Sequence, residues 1–184
     1  MSGVDSALLH LVVTAAEAVT TGETGFGSGI SAISMMSALG RAATHVAIDP
    51  FQGAFSFAGV RGVRQYRERR GSQAPAFVHV NETASFGLAW LSKRRVCFDV
   101  FLMDDGHKFD DNIVELSTVS KLLSLGGVLL LHDAWLPSVQ KTVAYIKASL
   151  PFLQPLPRRA MPGTMQLYVK VGLDERPWNS FSDF

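Results

Sequence analysis

The sequence is poor in cysteine, in charge and in long apolar runs. It has one cysteine, Cys97, in 184 residues, so an internal disulfide cannot form. Charged residues make up 18% of the chain and its net charge is +1, which excludes a global field that draws it to nucleic acid. No run reaches the roughly 18–20 apolar residues of a transmembrane helix, and residues 7–13 lack the basic flank of a signal peptide. We therefore expect a cytoplasmic protein with no nucleic-acid or membrane partner.

The length and the hydrophobic content, 47%, suit one domain with a well-buried core. Short β-branched or apolar runs alternate with helical stretches along the chain. This alternation predicts an α/β fold with a Rossmann-like, doubly wound, mostly parallel sheet and an antiparallel C-terminal edge strand. We divide the chain into an N-terminal helix and lead-in (1–22), a ligand-binding domain (23–173) and a loose C-terminal tail (174–184).

Periodicity and glycine positions predict where the elements begin and end. Gly40 is expected to end the second helix as its left-handed C′ residue, Gly71 the third, and Gly126-Gly127 the fifth. Strands are predicted at 19–24, 45–48, 76–80, 96–103, 128–131 and 164–171, and helices at 6–18, 30–39, 60–70, 85–92, from 110 onward, and 138–149.

Acidic and hydroxyl residues follow most of the predicted parallel strands. They are Asp49, Asn81-Glu82-Thr83, Asp104-Asp105 and Asp133. Ligands of such sheets bind beyond the carboxyl ends of the strands. These ends suit a cationic, hydroxyl-bearing ligand or a metal ion better than a nucleic-acid phosphate, and we expect Glu82 and Thr83 to contact the ligand.

The turn after the first strand is rich in glycine and fits two templates. Residues 27–32 fit the G-x-G-x-x-A variant of the dinucleotide fingerprint, and residues 23–29 fit an acidic-x-Gly-x-Gly-x-Gly pattern. In both, Asp49 lies about 20 residues on, where an acid can hold a ribose diol. A plain tight turn is the structural alternative. Glu23 favours the second template, because an acid there repels a pyrophosphate and suits a ligand with an ammonium group.

This segment resembles motif I of class I S-adenosylmethionine-dependent methyltransferases, above all small-molecule O-methyltransferases of the catechol and macrocin types. Their E-x-G-x-x-x-G-x-S turn is matched by Glu23, Gly25, Gly29 and Ser31. The resemblance implies that Ser31 and the amides of the turn, which includes Gly27, hold the methionine carboxylate. It implies that Asp49 holds the ribose.

Two further segments carry the resemblance. The apolar run 98–103 ends in Asp104-Asp105-Gly106-His107, and residues 122–135 match a block in which two glycines precede an acid, here Asp133. The resemblance implies that Asp104 lies beside the sulfonium and, with Asp133, binds Mg²⁺ or another divalent cation. His107 falls near the acceptor, where catechol-type enzymes have a lysine as proposed base. Ala134 departs from the family, whose metal-dependent members often carry a second acid or an amide there.

The third helix is basic, with Arg61, Arg64, Arg67, Arg69 and Arg70. Phosphate or nucleic-acid binding is one interpretation of this charge. Glu68 interrupts the basic run, and acids dominate the expected site, so a solvated outer face is the favoured interpretation.

The leading hypothesis is methyl transfer from S-adenosylmethionine to a hydroxyl of a small molecule, with His107 as base. A non-catalytic, ligand-binding descendant of the fold is an alternative, because only 22 residues precede Glu23. A metal-using, hydroxylase-like relative also stays open. An NAD(P)-dependent oxidoreductase is disfavoured, because neither Tyr66 nor Tyr145 has a lysine four residues on. A homodimer is left open.

Overall fold

The computed structural model describes residues 2–157 and 164–184, which contain six α-helices around a seven-stranded sheet. The strands lie in the order β3-β2-β1-β4-β5-β7-β6; the first five are parallel, and β7 is antiparallel to both β5 and β6. The strands are β1 Thr20–Thr24, β2 Thr44–Ile48, β3 Ala76–Val80, β4 Phe98–Met103, β5 Leu123–Leu131, β6 Leu153–Pro155 and β7 Gln166–Lys170. The helices are α1 Gly3–Ala15, α2 Ile30–Ala38, α3 Ala58–Arg70, α4 Ala84–Lys93, α5 Phe109–Leu122 and α6 Pro137–Ser149. The predicted fold class is confirmed.

Helices cover both faces of the sheet, which explains the low charge of the chain. One face packs against α4, α5 and α6 and carries Phe101 and Leu131 of the central strands. The other packs against α1 and α2 and carries Leu102 and Leu130. Because successive side chains of a strand point to opposite faces, a strand buried on both sides is apolar throughout.

At two of the helix ends where a glycine was predicted to stop the helix, the glycine does not do so. The helix α2 ends at Ala38, its C-cap residue Leu39 is extended, and Gly40 does not have the positive φ of a left-handed cap. Gly126-Gly127 do not end α5, because the helix stops at Leu122 and β5 starts at once and includes both glycines. The pairing of β4 with β5 shifts register there, and a Cβ on Gly127 would lie 2.8 Å from the Ser124 carbonyl oxygen. The glycine pair therefore accommodates a bulge in the strand.

The C-terminal strand is not at the edge of the sheet. β7 pairs with β5 on one side and with β6 on the other, so β6 forms the edge. This strand has three residues, Leu153–Pro155, and is too short to give an alternating pattern.

The N-terminal helix begins earlier than predicted because Ser2 caps it. The Ser2 hydroxyl accepts a hydrogen bond from the Asp5 amide, and the Asp5 carboxylate accepts one from the Ser2 amide. This reciprocal pair is a capping box. No helix within 2–157 and 164–184 is long and apolar enough to cross a membrane.

The tail after residue 173 contains no helix or strand but is not loose along its whole length. The Phe184 ring packs on Phe109 of α5 and on Tyr145 of α6, with centroids 6.0 and 5.2 Å apart. Arg176 donates a hydrogen bond to the carbonyl of Ser149 at the end of α6. Both contacts hold the tail against α5 and α6.

Candidate functional site

The turn between β1 and α2 is built from glycines that no other residue could replace without strain. Gly25, Gly27 and Gly29 have φ values of 77°, 46° and 79°, which L side chains rarely adopt. A Cβ on Gly25 would lie 2.0 Å from the carbonyl oxygen of Asp104. The turn therefore packs its bare backbone against the end of β4, and it starts α2 without a side-chain cap.

Glu23, just before the turn, is completely buried and incompletely bonded. Its Oε1 lies 3.3 Å from His45 Nε2, and His45 Nδ1 lies 2.8 Å from the Thr21 hydroxyl. Its other oxygen, Oε2, has no hydrogen-bond partner among the described residues. Burial raises the pKa of Glu23, while the neighbouring side chains of His45 and Ser31 oppose that shift. A buried carboxylate that lacks a partner is costly unless a ligand compensates it.

Asp49, at the end of β2, is used by the protein itself. Its Oδ2 accepts hydrogen bonds from the Gly27 amide at 2.7 Å and from Gln52 Nε2 at 3.1 Å, and its Oδ1 accepts one from the Phe51 amide at 2.6 Å. A carboxylate has about four acceptor positions, so one remains for a ligand hydroxyl. The structure places Asp49 at the turn, and its predicted contact with a ribose stays a prediction.

A cavity of 380 Å³ opens beside the turn, between the loops that follow β2, β3 and β4. We call it the strand-end cavity. Of the residues predicted at the end of β3, Thr83 lines it, while Glu82 is exposed beside it. Its lining is acidic and partly aromatic and contains Phe51, Thr83, Ala84, Ser85, Asp105, Gly106, Asp110, Asp111, Val114 and Glu115.

Asp104 meets a histidine that the sequence analysis did not select. His132 Nδ1 lies 2.9 Å from Asp104 Oδ1, and its Nε2 lies 3.8 Å from Asp5 Oδ2 on α1. The pairing follows from strand alternation, since Asp104 and His132 continue the face of Leu102 and Leu130, which packs on α1. Burial lowers the pKa of His132, but the surrounding carboxylates outweigh it, and the net shift is upward.

His107 and Asp133 are in direct contact. His107 Nε2 lies 2.8 Å from Asp133 Oδ2, and its Nδ1 faces the carbonyl oxygen of Asp105. Both ring nitrogens of His107 therefore face oxygen acceptors. Asp133 has a φ of 49° and also accepts a hydrogen bond from Trp135 Nε1. Although burial opposes the shift, hydrogen bonding to His107 and Trp135 and the charge of His132 lower the pKa of Asp133.

The three side chains Asp104, His107 and Asp133 can offer ligand atoms that all lie within 4.8 Å of one another. The two carboxylates predicted as metal ligands are thus brought together, and His107 is an additional donor. Two carboxylates and an imidazole suit a divalent cation such as Mn²⁺, while Mg²⁺ prefers oxygen ligands alone. The donor set fits a cation, although His132 approaches the same two carboxylates.

Glu115 on α5 is a second residue that sequence reasoning missed. Glu115 lines the strand-end cavity and is 3% exposed, and its carboxyl group accepts a hydrogen bond from the Thr24 hydroxyl of β1. Burial raises its pKa to about 8, and nearby Asp104 and Asp105 add to the rise. The only signal in the sequence is its position within the apolar stripe of α5, one residue before Leu116.

Comparison with known proteins agrees with this geometry. Residues 23–134, which run from Glu23 to one residue past Asp133, match a family described as "Methyltransferase domain". No curated protein matches the sequence significantly.

Several solved structures share the fold at low sequence identity. The O-methyltransferase TomG from Streptomyces achromogenes, solved in complex with SAM, has a TM-score of 0.75 and 19% identity over 94% of this chain and 82% of its own. An O-methyltransferase from Bacillus cereus, in complex with SAH, has a TM-score of 0.72 and 16% identity over 92% and 82%. A methyltransferase from Geobacter sulfurreducens has a TM-score of 0.73 and 14% identity over 94% and 80%. At these identities the likeness shows a common fold.

Proposed function

The chain belongs to the methyltransferase-domain family, and on that premise we propose that it transfers the methyl group of S-adenosylmethionine to a hydroxyl of a small molecule. The observation that carries the proposal is the buried Glu23 Oε2 beside a bare glycine turn, which has no hydrogen-bond partner among the residues that the structure describes. O-methyltransferases among the structures with the same fold support the choice of oxygen as acceptor.

The residues at the turn fit S-adenosylmethionine as the methyl donor. A ligand ammonium group at the turn would favour the ionised form of Glu23 and offset part of the cost of its burial. The amides of the turn and the first turn of α2, where Ser31 lies, suit a carboxylate. The strand-end cavity, with Phe51 and the hydroxyl of Thr83 in its lining, suits the adenosine half. When bound, S-adenosylmethionine supplies a methyl group that its positively charged sulfur already activates.

The acceptor would lie beside Asp104, His107 and Asp133. His107 can take the hydroxyl proton at Nε2 once this nitrogen is neutral and released from Asp133, which then stabilises the imidazolium. The exposed ring of Trp135 offers an apolar surface next to Asp133. Asp104 and Asp133 would hold the divalent cation, which leaves His107 Nε2 free to act as the base. Such a cation lowers the pKa of a hydroxyl that binds to it.

Calorimetric titration with S-adenosylmethionine, S-adenosylhomocysteine and NADH tests the cofactor. We expect both sulfur compounds to bind and NADH not to bind. Glu23→Gln should weaken S-adenosylmethionine roughly tenfold or more, the usual effect of losing a hydrogen bond to a charged group. Glu68→Gln, which changes an exposed residue of α3, is the control and should bind like the wild type. Failure of both sulfur compounds to bind would refute the proposal.

Transfer of a labelled methyl group to a panel of hydroxylated small molecules tests the reaction. The assay is run with EDTA, with Mg²⁺ and with Mn²⁺. We expect Asp133→Asn to lose most transfer while S-adenosylmethionine still binds, because this change affects the acceptor side. Transfer that is equal with EDTA and with added metal would remove the cation from the proposal and leave His107 as the base.

A further inference from the structure

The outer edge of β3 is an open strand edge. The Ala76 amide donates to the Ala43 carbonyl, and the Val80 carbonyl accepts from the Asp49 amide, so these residues face β2. By alternation, the backbone N–H and C=O groups of Phe77 and His79 face outward. No residue within 2–157 and 164–184 pairs with this edge.

The two edges of the sheet are protected very differently. At one end, β6 is three residues long and includes Pro155, both of which prevent further pairing. At the other end, β3 has five residues, Ala76–Val80, with no charged residue and no proline. The Val78 side chain is 39% exposed on this strand. Natural proteins usually block such an edge, so an unblocked one is a candidate for strand addition.

A groove of 410 Å³ runs between α3 and the β3 edge. Its floor is apolar, with Val60 and Val63 of α3 and Phe77 of β3, and its wall carries Arg64, Arg67 and Glu68. Arg67 Nε donates to the Pro75 carbonyl just before β3. Arg64 is exposed and has no hydrogen bond or ion pair to any described residue, so its guanidinium is available.

We propose that this edge and groove bind an extended acidic segment of a partner protein as an additional strand beside β3. Main-chain bonds to Phe77 and His79 would hold the segment, and every second side chain would point into the groove. Acidic side chains at those positions would meet Arg64 and Arg67, and apolar ones would meet the floor.

Charge argues against a second copy of this chain as the occupant. The helix that forms the groove wall, α3, carries five arginines and one glutamate. Pairing of two β3 edges would bring two such helices close together, and like charges would oppose the contact. An acidic strand removes this repulsion and gains ion pairs.

Fluorescence anisotropy tests the proposal with a labelled peptide in which every second residue is valine or glutamate in turn and the residues between them are threonine, so that one face of the strand carries both acidic and apolar side chains. We expect binding that weakens with salt, and Arg64→Glu should weaken it roughly tenfold. Arg69→Glu is the matched control: it makes the same charge change on the same helix, but Arg69 does not line the groove. Equal loss with both variants would mean that only net charge matters, and would overturn the proposal.

Peptides with alternate N-methyl groups test strand pairing. Two peptides are compared, one methylated at the odd-numbered amides and the other at the even-numbered amides. In a strand beside β3, one of them loses the N–H groups that face β3, and the other loses only those that face away. We expect one of the two peptides to bind like the parent and the other to lose binding. Equal binding of both would refute strand addition. A single-stranded oligonucleotide that binds more tightly than the peptide, or a dimer by sedimentation that Arg64→Glu dissociates, would also overturn the assigned partner.

Discussion

Glu115 should make the protein less stable as the pH rises, and Glu115→Gln should remove this effect. Glu115 is buried at the junction of α5 and β1, where, among the described residues, the Thr24 hydroxyl donates a hydrogen bond to its carboxyl group. A neutral acid tolerates this environment far better than a carboxylate does. Glutamine keeps the shape and the carbonyl acceptor for Thr24 but cannot ionise.

The sign and size follow from the pKa. In the folded protein the pKa of Glu115 rises from 4.5 to about 8, so the native state binds the proton more tightly than the unfolded state. The folded state therefore loses stability as the pH rises from about 4.5 to about 8, and the loss levels off above that. At about 1.4 kcal/mol for each pH unit, the upper bound is about 5 kcal/mol, and relaxation of the site will lower it.

Urea unfolding at pH 5, 7 and 8.5, within the range where the protein stays folded, is the assay. The wild type should lose free energy of unfolding across this series, and Glu115→Gln should lose clearly less, so that the variant is the more stable protein at pH 8.5. Glu68→Gln, which removes an exposed carboxylate of α3, should follow the wild type. If Glu115→Gln and the wild type lose the same free energy between pH 5 and 8.5, Glu115 is ionised throughout and the reasoning is wrong.

Three further substitutions test the packing. Gly25→Ala should cost about 3 kcal/mol or more in urea unfolding, because it adds a clash to a positive φ. Gly27→Ala, whose Cβ would make only van der Waals contacts at 3.9 Å and beyond, should cost only about 1 kcal/mol, and similar losses would contradict the close approach of the turn to β4. Asp5→Ala should lower the free energy of unfolding by about 1 kcal/mol, because it removes one half of the capping box with Ser2. The amide hydrogens of α1 should then exchange faster, and unchanged exchange would show that the capping box does not stabilise the helix. Phe101→Ala should cost about 3–5 kcal/mol by thermal or urea unfolding, since its ring is fully buried; a loss below 1 kcal/mol would show that the core collapses around the space.

Buried strands were the most predictable elements. Continuous apolar runs bounded by polar residues are specific, and the buried strand β4, predicted at 96–103, spans Phe98–Met103 in the structure. The wrong predictions concern residues that suit two kinds of local structure equally well. Gly126-Gly127 looked like a helix stop, but the bulge of β5 needs the same lack of a side chain. The short edge strand Leu153–Pro155 has too few residues to show a period.

The sequence predicts where along the strands the residues of the site lie, but it does not predict which of them contact one another. Asp104 and Asp133 were expected at strand ends and lie there, within reach of one another. His132 was missed, although it lies two residues after Leu130 and therefore continues the face of β5 that packs against α1. The partner that completes this contact, Asp5, comes from a distant part of the sequence and belongs to a helix cap. This contact forms only because α1 packs against the sheet, and a local sequence pattern carries no information about that packing.

The strand ends gather more carboxyl groups than the protein holds ionised by itself. Glu23 and Glu115 are buried with raised pKa values, and the charge of Asp104 contributes to both shifts. The histidines at the site, His107 and His132, already pair with Asp133 and Asp104. Like charges held at one edge of a sheet destabilise the fold until a cation reaches them. A positively charged methyl donor or a divalent cation relieves this repulsion, while the demethylated product, which lacks the charge on sulfur, relieves less of it. The same electrostatics that weakens the empty protein therefore favours binding of the donor over the product.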